Sequence, residues 1–198
     1  MSASHPNFIW KDLFKPGKSE KKALIETLQD NILFKTLSRK ELRYISNFVY
    51  ERTYEPSEPV FQQGDRGIGM YIIAKGRVAI RIQNAETDVL VATLSEGSFF
   101  GEIALVDPNT VRTASAVAVE PTVAIGFFKP DLTEILERNP VIGVKILFQL
   151  ATVLGKRLVE TTELITVLKR PQESQKPTGE QTSQAALRSV KSTREEAA

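Results

Sequence analysis

The 198-residue chain carries 26 basic and 24 acidic residues, a net charge of +2, with 41% apolar residues, one histidine and no cysteine. That apolar share supports a real core, and the near-balance of charge argues against a general nucleic-acid binder. The absence of cysteine excludes a disulfide framework, a thiolate metal site and a cysteine nucleophile.

The N-terminal arm, residues 1–18, contains that one histidine, His5, beside Pro6, where a solvated role is expected. With no folded histidine or metal-ligand cluster in view, an enzyme is hard to assemble. Asn7 to Lys15 reads as a short helix capped by Asn7, with Ile9, Trp10, Leu13 and Phe14 as its apolar stripe. It is expected to pack on its own domain or on a partner subunit. The first residues lack the basic start and apolar stretch of a secretory signal. No apolar run approaches the roughly 18 residues a membrane span needs. A cytoplasmic protein with no membrane span is expected.

Residues 19–169 read as one domain, opening with helices over 19–49. Leu24, Ile25, Leu28, Ile32 and Leu33 recur at helical spacing, and Ser38 three residues before Glu41 forms a capping box. Over 50–128 the pattern becomes short apolar or alternating runs: Val60-Phe61, Met70–Ala74, Val78–Ile82, Val89–Leu94, Ser115–Val119 and Val123–Phe127. Turn residues such as Gly64-Asp65, Lys75-Gly76 and Glu96-Gly97 punctuate them, which predicts an antiparallel β-roll or jelly-roll barrel. The fold class is therefore α+β, mainly β, with flanking N-terminal helices and a long C-terminal helix.

Helical periodicity returns over 129–169. A short helix spans Asp131 to Arg138, and Asn139-Pro140 starts a longer one. Leu147, Leu150, Leu154, Leu158, Thr161, Ile165 and Leu168 advance in steps of three and four, the spacing of a coiled-coil seam. Its partner is either the barrel wall or the same helix of a second copy, and a homodimer is favoured. The tail, 170–198, is polar and is expected to be disordered, with a weak helix near Gln184–Lys191. It is too polar for the compact recognition module of a DNA-binding regulator.

The stretch richest in chemistry is Phe99-Phe100-Gly101-Glu102-Ile103-Ala104-Leu105, followed by Asp107-Pro108-Asn109 and Arg112-Thr113-Ala114. Gly101 lets the backbone approach a ligand, and the turn after it offers N–H groups to an anion. Arg112 supplies a planar, permanently charged fork for phosphate oxygens. Glu102 can accept hydrogen bonds from a sugar hydroxyl. An anion cradle, a hydroxyl acceptor and an apolar wall together describe a nucleotide with one phosphate.

Phe100-Gly101-Glu102-Ile103-Ala104-Leu105 with Arg112-Thr113-Ala114 resembles the phosphate-binding cassette of cyclic nucleotide-binding domains. That family includes regulatory subunits of protein kinase A, cyclic-nucleotide-gated channels and the bacterial catabolite activator. The resemblance takes in Gly64-Asp65, the Tyr71–Val78 strand-turn-strand and the Asn139-Pro140 helix start. It implies that Glu102 holds a ribose 2′-hydroxyl, that Arg112 pairs with the cyclic phosphate, and that backbone N–H groups of Ile103 and Ala104 face it. It also implies that Ile80 and Val91 lie against base or sugar, and that Thr161 and Thr162 reach the adenine edge. Thr113 could bond a guanine amino group. Arg112 stands one residue further from Gly101 than in the kinase and channel patterns, and Val111 replaces a frequent proline.

The expected function is a cyclic nucleotide sensor, cAMP favoured over cGMP, that uses no metal and is not an enzyme. It would signal through helix rearrangement to an unknown protein effector or its own dimer, without nucleic acid. The alternative is an interaction scaffold of the same fold that no longer binds ligand, with Glu102 and Arg112 as a buried ion pair. Thr161 remains open between a ligand contact and a register-setting polar residue in a dimer seam.

Overall fold

The structure, a computed structural model, describes residues 18–169 other than Ala85 and Pro108. The arm helix with its Asn7 cap, His5, and the tail with its Gln184–Lys191 helix lie outside the described residues. Two helices come first, α1 (Lys18–Asp30) and α2 (Arg39–Ile45). The α1 helix buries Leu24 and Leu28, one turn apart. It ends at Asn31, whose side chain accepts from Leu33 N at 3.1 Å and donates to Gly97 O at 3.2 Å. The capping box at α2 is complete: Glu41 N–H donates to Ser38 Oγ, and Ser38 N–H donates to Glu41 Oε2. The second helix stops at Ile45 rather than running to residue 49, because the chain enters a strand at Val49.

Eight strands follow: β1 (Val49–Tyr54), β2 (Pro59–Phe61), β3 (Gly69–Lys75), β4 (Arg77–Gln83), β5 (Asp88–Ser95), β6 (Phe99–Phe100), β7 (Ser115–Ala118) and β8 (Thr122–Phe128). They form two four-stranded sheets, ordered β1-β8-β3-β6 and β2-β7-β4-β5. All the pairings between named strands are antiparallel. The expected roll is thus a pair of open sheets packed face to face rather than a closed barrel. The strands β1 and β6 were not among the predicted runs. Val49–Tyr54 reads VYERTY, with charge in its middle, and β6 is only two residues long.

Strand alternation divides the core. Met70 and Ile72 of β3, Ile125 and Phe127 of β8, and Phe99 of β6 pack with the helices. Tyr71, Ile73, Ala124, Phe128 and Phe100 face the other way, meeting Val60, Val78, Ala116 and Ala118 between the sheets. One sheet is therefore buried on both faces, and Phe99 and Phe100 serve different cores.

The chain closes with α3 (Lys129–Arg138) and the 30-residue α4 (Pro140–Lys169). Pro130 lies in the first turn of α3 and Pro140 opens α4, where a missing N–H costs nothing. A Cβ on Gly143 would fall 2.6 Å from Leu136 Cδ2, so glycine permits this close helix crossing. Ile142, Ile146, Leu150 and Val153 are the residues of α4 buried in the core, with Leu147 and Leu154 at its margin. Over Leu147–Leu154 the predicted seam thus meets the protein's own core, one of its two expected partners, while Val141, Val144 and Phe148 are exposed at 64%, 58% and 70%. The chain divides into two compact units at Gly155, and the second, from Lys156, is described among these residues by the end of α4 alone. Among the described residues no helix is long and apolar enough to cross a membrane.

Candidate functional site

The site is built at the end of the short edge strand β6. Phe100 pairs with Tyr71 of β3, and its side chain is buried between the sheets. The chain then turns at Gly101, which takes the left-handed conformation at φ 77°, into a 3₁₀ helix over Glu102–Leu105. A non-glycine residue is disfavoured in that backbone region. A Cβ on Gly101 would also fall 2.5 Å from Arg112 Nη1. The expected close approach is thus made first by the arginine.

Arg112 is 6% exposed. Its Nη1 donates to Gly101 O at 3.0 Å and its Nη2 to Gly69 O at 2.7 Å. The guanidinium carbon lies 4.0 Å from the ring centroid of Phe61 and 6.0 Å from that of Tyr71. The Nε atom is buried and has no hydrogen-bond partner. Burial pulls the guanidinium below its ordinary pKa, while Tyr71, Asp65 and Glu102 act to hold it up. A buried cation with an unsatisfied N–H carries a desolvation cost that an anionic acceptor would offset.

Backbone pairing holds that arginine in place. Arg112 N–H donates to Asp65 O at 2.8 Å, Gly64 N–H donates to Arg112 O at 2.9 Å, and Arg66 bridges Val111. The Gly64-Asp65 turn is tightened by Asp65 Oδ2, which accepts from Gln62 N–H at 2.7 Å. The glycine-aspartate turn read from the sequence is therefore the clamp on the arginine.

The other predicted residues divide by location. Glu102 is 5% exposed and Ala104 fully buried, whereas Ile103 between them is 49% exposed. The Ala104 N–H is engaged with Gly101 O at 3.2 Å. Thr113 is exposed and Ala114 half-buried, on the way from Arg112 into β7. Ile80 of β4 is half-buried against the inter-sheet core and pairs with Ala116 of β7. Val91 of β5 is 53% exposed and occupies a bulge, since Ile80 pairs with Ala92 and Arg81 with Leu90. Phe100 to Ala104 and Arg112 are thus brought together at one corner. Thr161 and Thr162 belong to the second unit, where their hydroxyls donate to Arg157 O and Leu158 O one turn back.

Phe61, Tyr71 and the Gly69 carbonyl complete the setting of Arg112 and were not among the predicted site residues. Phe61 and Tyr71 read as ordinary apolar strand positions, and a carbonyl leaves no trace in side-chain chemistry. The nearest available signal was the pairing of the Gly64-Asp65 turn with the arginine segment.

Residues 51–139 match the family model for the cyclic nucleotide-binding domain. The cyclic AMP receptor protein of Thermus thermophilus is 34% identical over 129 residues, 65% of this chain and 57% of that protein. A cAMP-dependent protein kinase type II regulatory subunit of Drosophila melanogaster is 30% identical over 115 residues, 58% of this chain and 30% of that protein. The chain thus spans less than two thirds of either relative. The crystal structure of the Thermus thermophilus catabolite activator protein superposes with a TM-score of 0.63 at 31% identity, covering 70% of this chain and 63% of that one. Residues 51–139, with the buried arginine and the glycine turn beside it, belong to the cyclic nucleotide-binding domain family.

Proposed function

We propose that this chain is a regulatory sensor of a cyclic nucleotide, cAMP in preference to cGMP, and performs no chemistry on it. The observation that carries this reading is the buried Arg112 guanidinium, anchored at two N–H groups and lacking an acceptor at Nε. A monoanionic cyclic phosphate beside the Gly101–Leu105 turn supplies the missing charge, and Glu102, at the start of the 3₁₀ helix, accepts the ribose 2′-hydroxyl. Ile80 and Val91 offer apolar surface to sugar or base, and the exposed Thr113 hydroxyl is available to a base edge. The preference for cAMP rests on the two relatives described above, whose names specify cyclic AMP.

Binding becomes a signal only if the ligand favours one arrangement of the C-terminal helices over another. The switch lies at the start of α3, near Lys129-Pro130, and its output passes along α4 to a protein effector or to a second copy of the chain. A coupling of this kind is about 1–3 kcal/mol.

Calorimetric titration of nucleotide-stripped protein with cAMP and cGMP tests the reading, with Arg112→Ala alongside. The expected result is saturable binding, tighter for cAMP, that weakens by about 2–5 kcal/mol in the variant. Absence of heat with both nucleotides, together with an unchanged melting temperature, would instead identify a scaffold that has lost its ligand.

A further inference from the structure

Phe61 carries no polar side-chain atom, yet its ring is the surface on which the Arg112 guanidinium rests. The 4.0 Å separation from guanidinium carbon to ring centroid is well inside the range of about 6 Å over which an aromatic face attracts a cation. Phe61 is itself braced. Its centroid lies 5.9 Å from that of Tyr71 and 5.7 Å from that of Phe100, and those two rings stack at 5.7 Å and 21°.

The backbone fixes the same contact. β2 shifts register between Pro59 and Phe61, and the turn that follows is hydrogen-bonded to the residue it must hold, through Gly64 N–H to Arg112 O. Carbonyls of Gly69 and Gly101 hold the edge of the guanidinium, and the Phe61 ring covers one face. The Nε atom has no hydrogen-bond partner at all. A leucine at position 61 would fill much of the space but has no negative ring face. The cation would then lose an attraction that costs no hydrogen-bonding capacity, in a place where water cannot compensate.

Resting on the reading that Arg112 meets the cyclic phosphate, we propose that Phe61 is a positioning residue whose ring face holds the Arg112 guanidinium oriented for the anion. Phe61 acts through the arginine and touches the phosphate at no point.

The test compares the full chain with Phe61→Leu, Phe61→Tyr and Arg112→Ala, titrated with cAMP and with adenosine, which lacks the phosphate. In the ligand-free proteins the Arg112 Nε–H resonance is recorded as well. Phe61→Leu is expected to weaken cAMP binding about 5- to 30-fold while leaving adenosine binding unchanged. Phe61→Tyr, which keeps the ring face, is expected to restore the affinity for cAMP. The Nε–H proton, shifted upfield by the ring in the wild type, is expected to return to the usual arginine position in Phe61→Leu only. Wild-type cAMP affinity in a folded Phe61→Leu protein overturns the proposal alone, as does equal weakening of cAMP and adenosine. Wild-type cAMP affinity in Arg112→Ala overturns the reading beneath it, whatever Phe61 does.

Discussion

Gly101 answers two demands at once, a left-handed backbone at φ 77° and an arginine nitrogen 2.5 Å from where its Cβ would lie. Neither Gly64 nor Gly97 shows the second demand, since a Cβ there meets nothing within 4 Å. Gly101→Ala is therefore expected to lower stability by about 1 kcal/mol or more through backbone strain alone. It should also weaken nucleotide binding, because the new methyl displaces the guanidinium from the Gly101 carbonyl. Chemical denaturation and calorimetry on the same variant separate the two effects. Gly101, Glu102 and Arg112 were legible in the sequence, because a turn residue, an acceptor and a fixed cation lie close together along the chain. Phe61 was not, because its contact with Arg112 depends on pairing between distant segments. No local spacing announces that pairing.

At the scale of elements, α2 is tied to α4 by one ion pair, Lys145 Nζ to Glu41 Oε1 at 2.7 Å. The Lys145 hydrogen bond, followed by the Ser38 N–H, holds the Glu41 carboxyl below its ordinary pKa. A carboxylate depressed in the folded state adds stability that is present above its unfolded pKa, about 4.3, and is lost as pH falls through the lower folded value. Glu41→Gln should therefore lower the melting temperature near neutral pH, with the deficit shrinking below about pH 4. Melting curves of both proteins across pH 3–7 check this, and a deficit that persists in acid would assign the loss to the Ser38 cap instead. The capping box behind this contact was readable because all its partners lie within four residues. The end of α2 at Ile45 was less so, since helix gives way there to a strand that is committed by pairing with β8. The choice of the buried row on α4 has the same origin. The period of about 3.5 admits more than one apolar row, and packing into the core shared with α1, α2 and α3 selects Ile142, Ile146, Leu150 and Val153.

That selection bears on the whole molecule, since it leaves Val141, Val144 and Phe148 in solvent at steps of three and four. A row of large apolar residues on an exposed helix face is the kind of surface that a partner covers. In the proposed function that partner is a protein effector or a second copy of the chain, and the second copy is the case tested first. Phe148→Glu should then shift the protein from dimer to monomer in sedimentation equilibrium while preserving its melting profile at low concentration. A wild-type protein that is already monomeric at high concentration would direct the signal to an effector instead. The functional reading depends on whether a cyclic phosphate engages Arg112. The most direct measurement is the Arg112 Nε–H resonance during titration of nucleotide-stripped protein with cAMP. The account predicts a saturable downfield movement as the unsatisfied donor gains a charged acceptor, with no such movement on adding adenosine. An Nε–H signal that stays in place at saturating cAMP would contradict it.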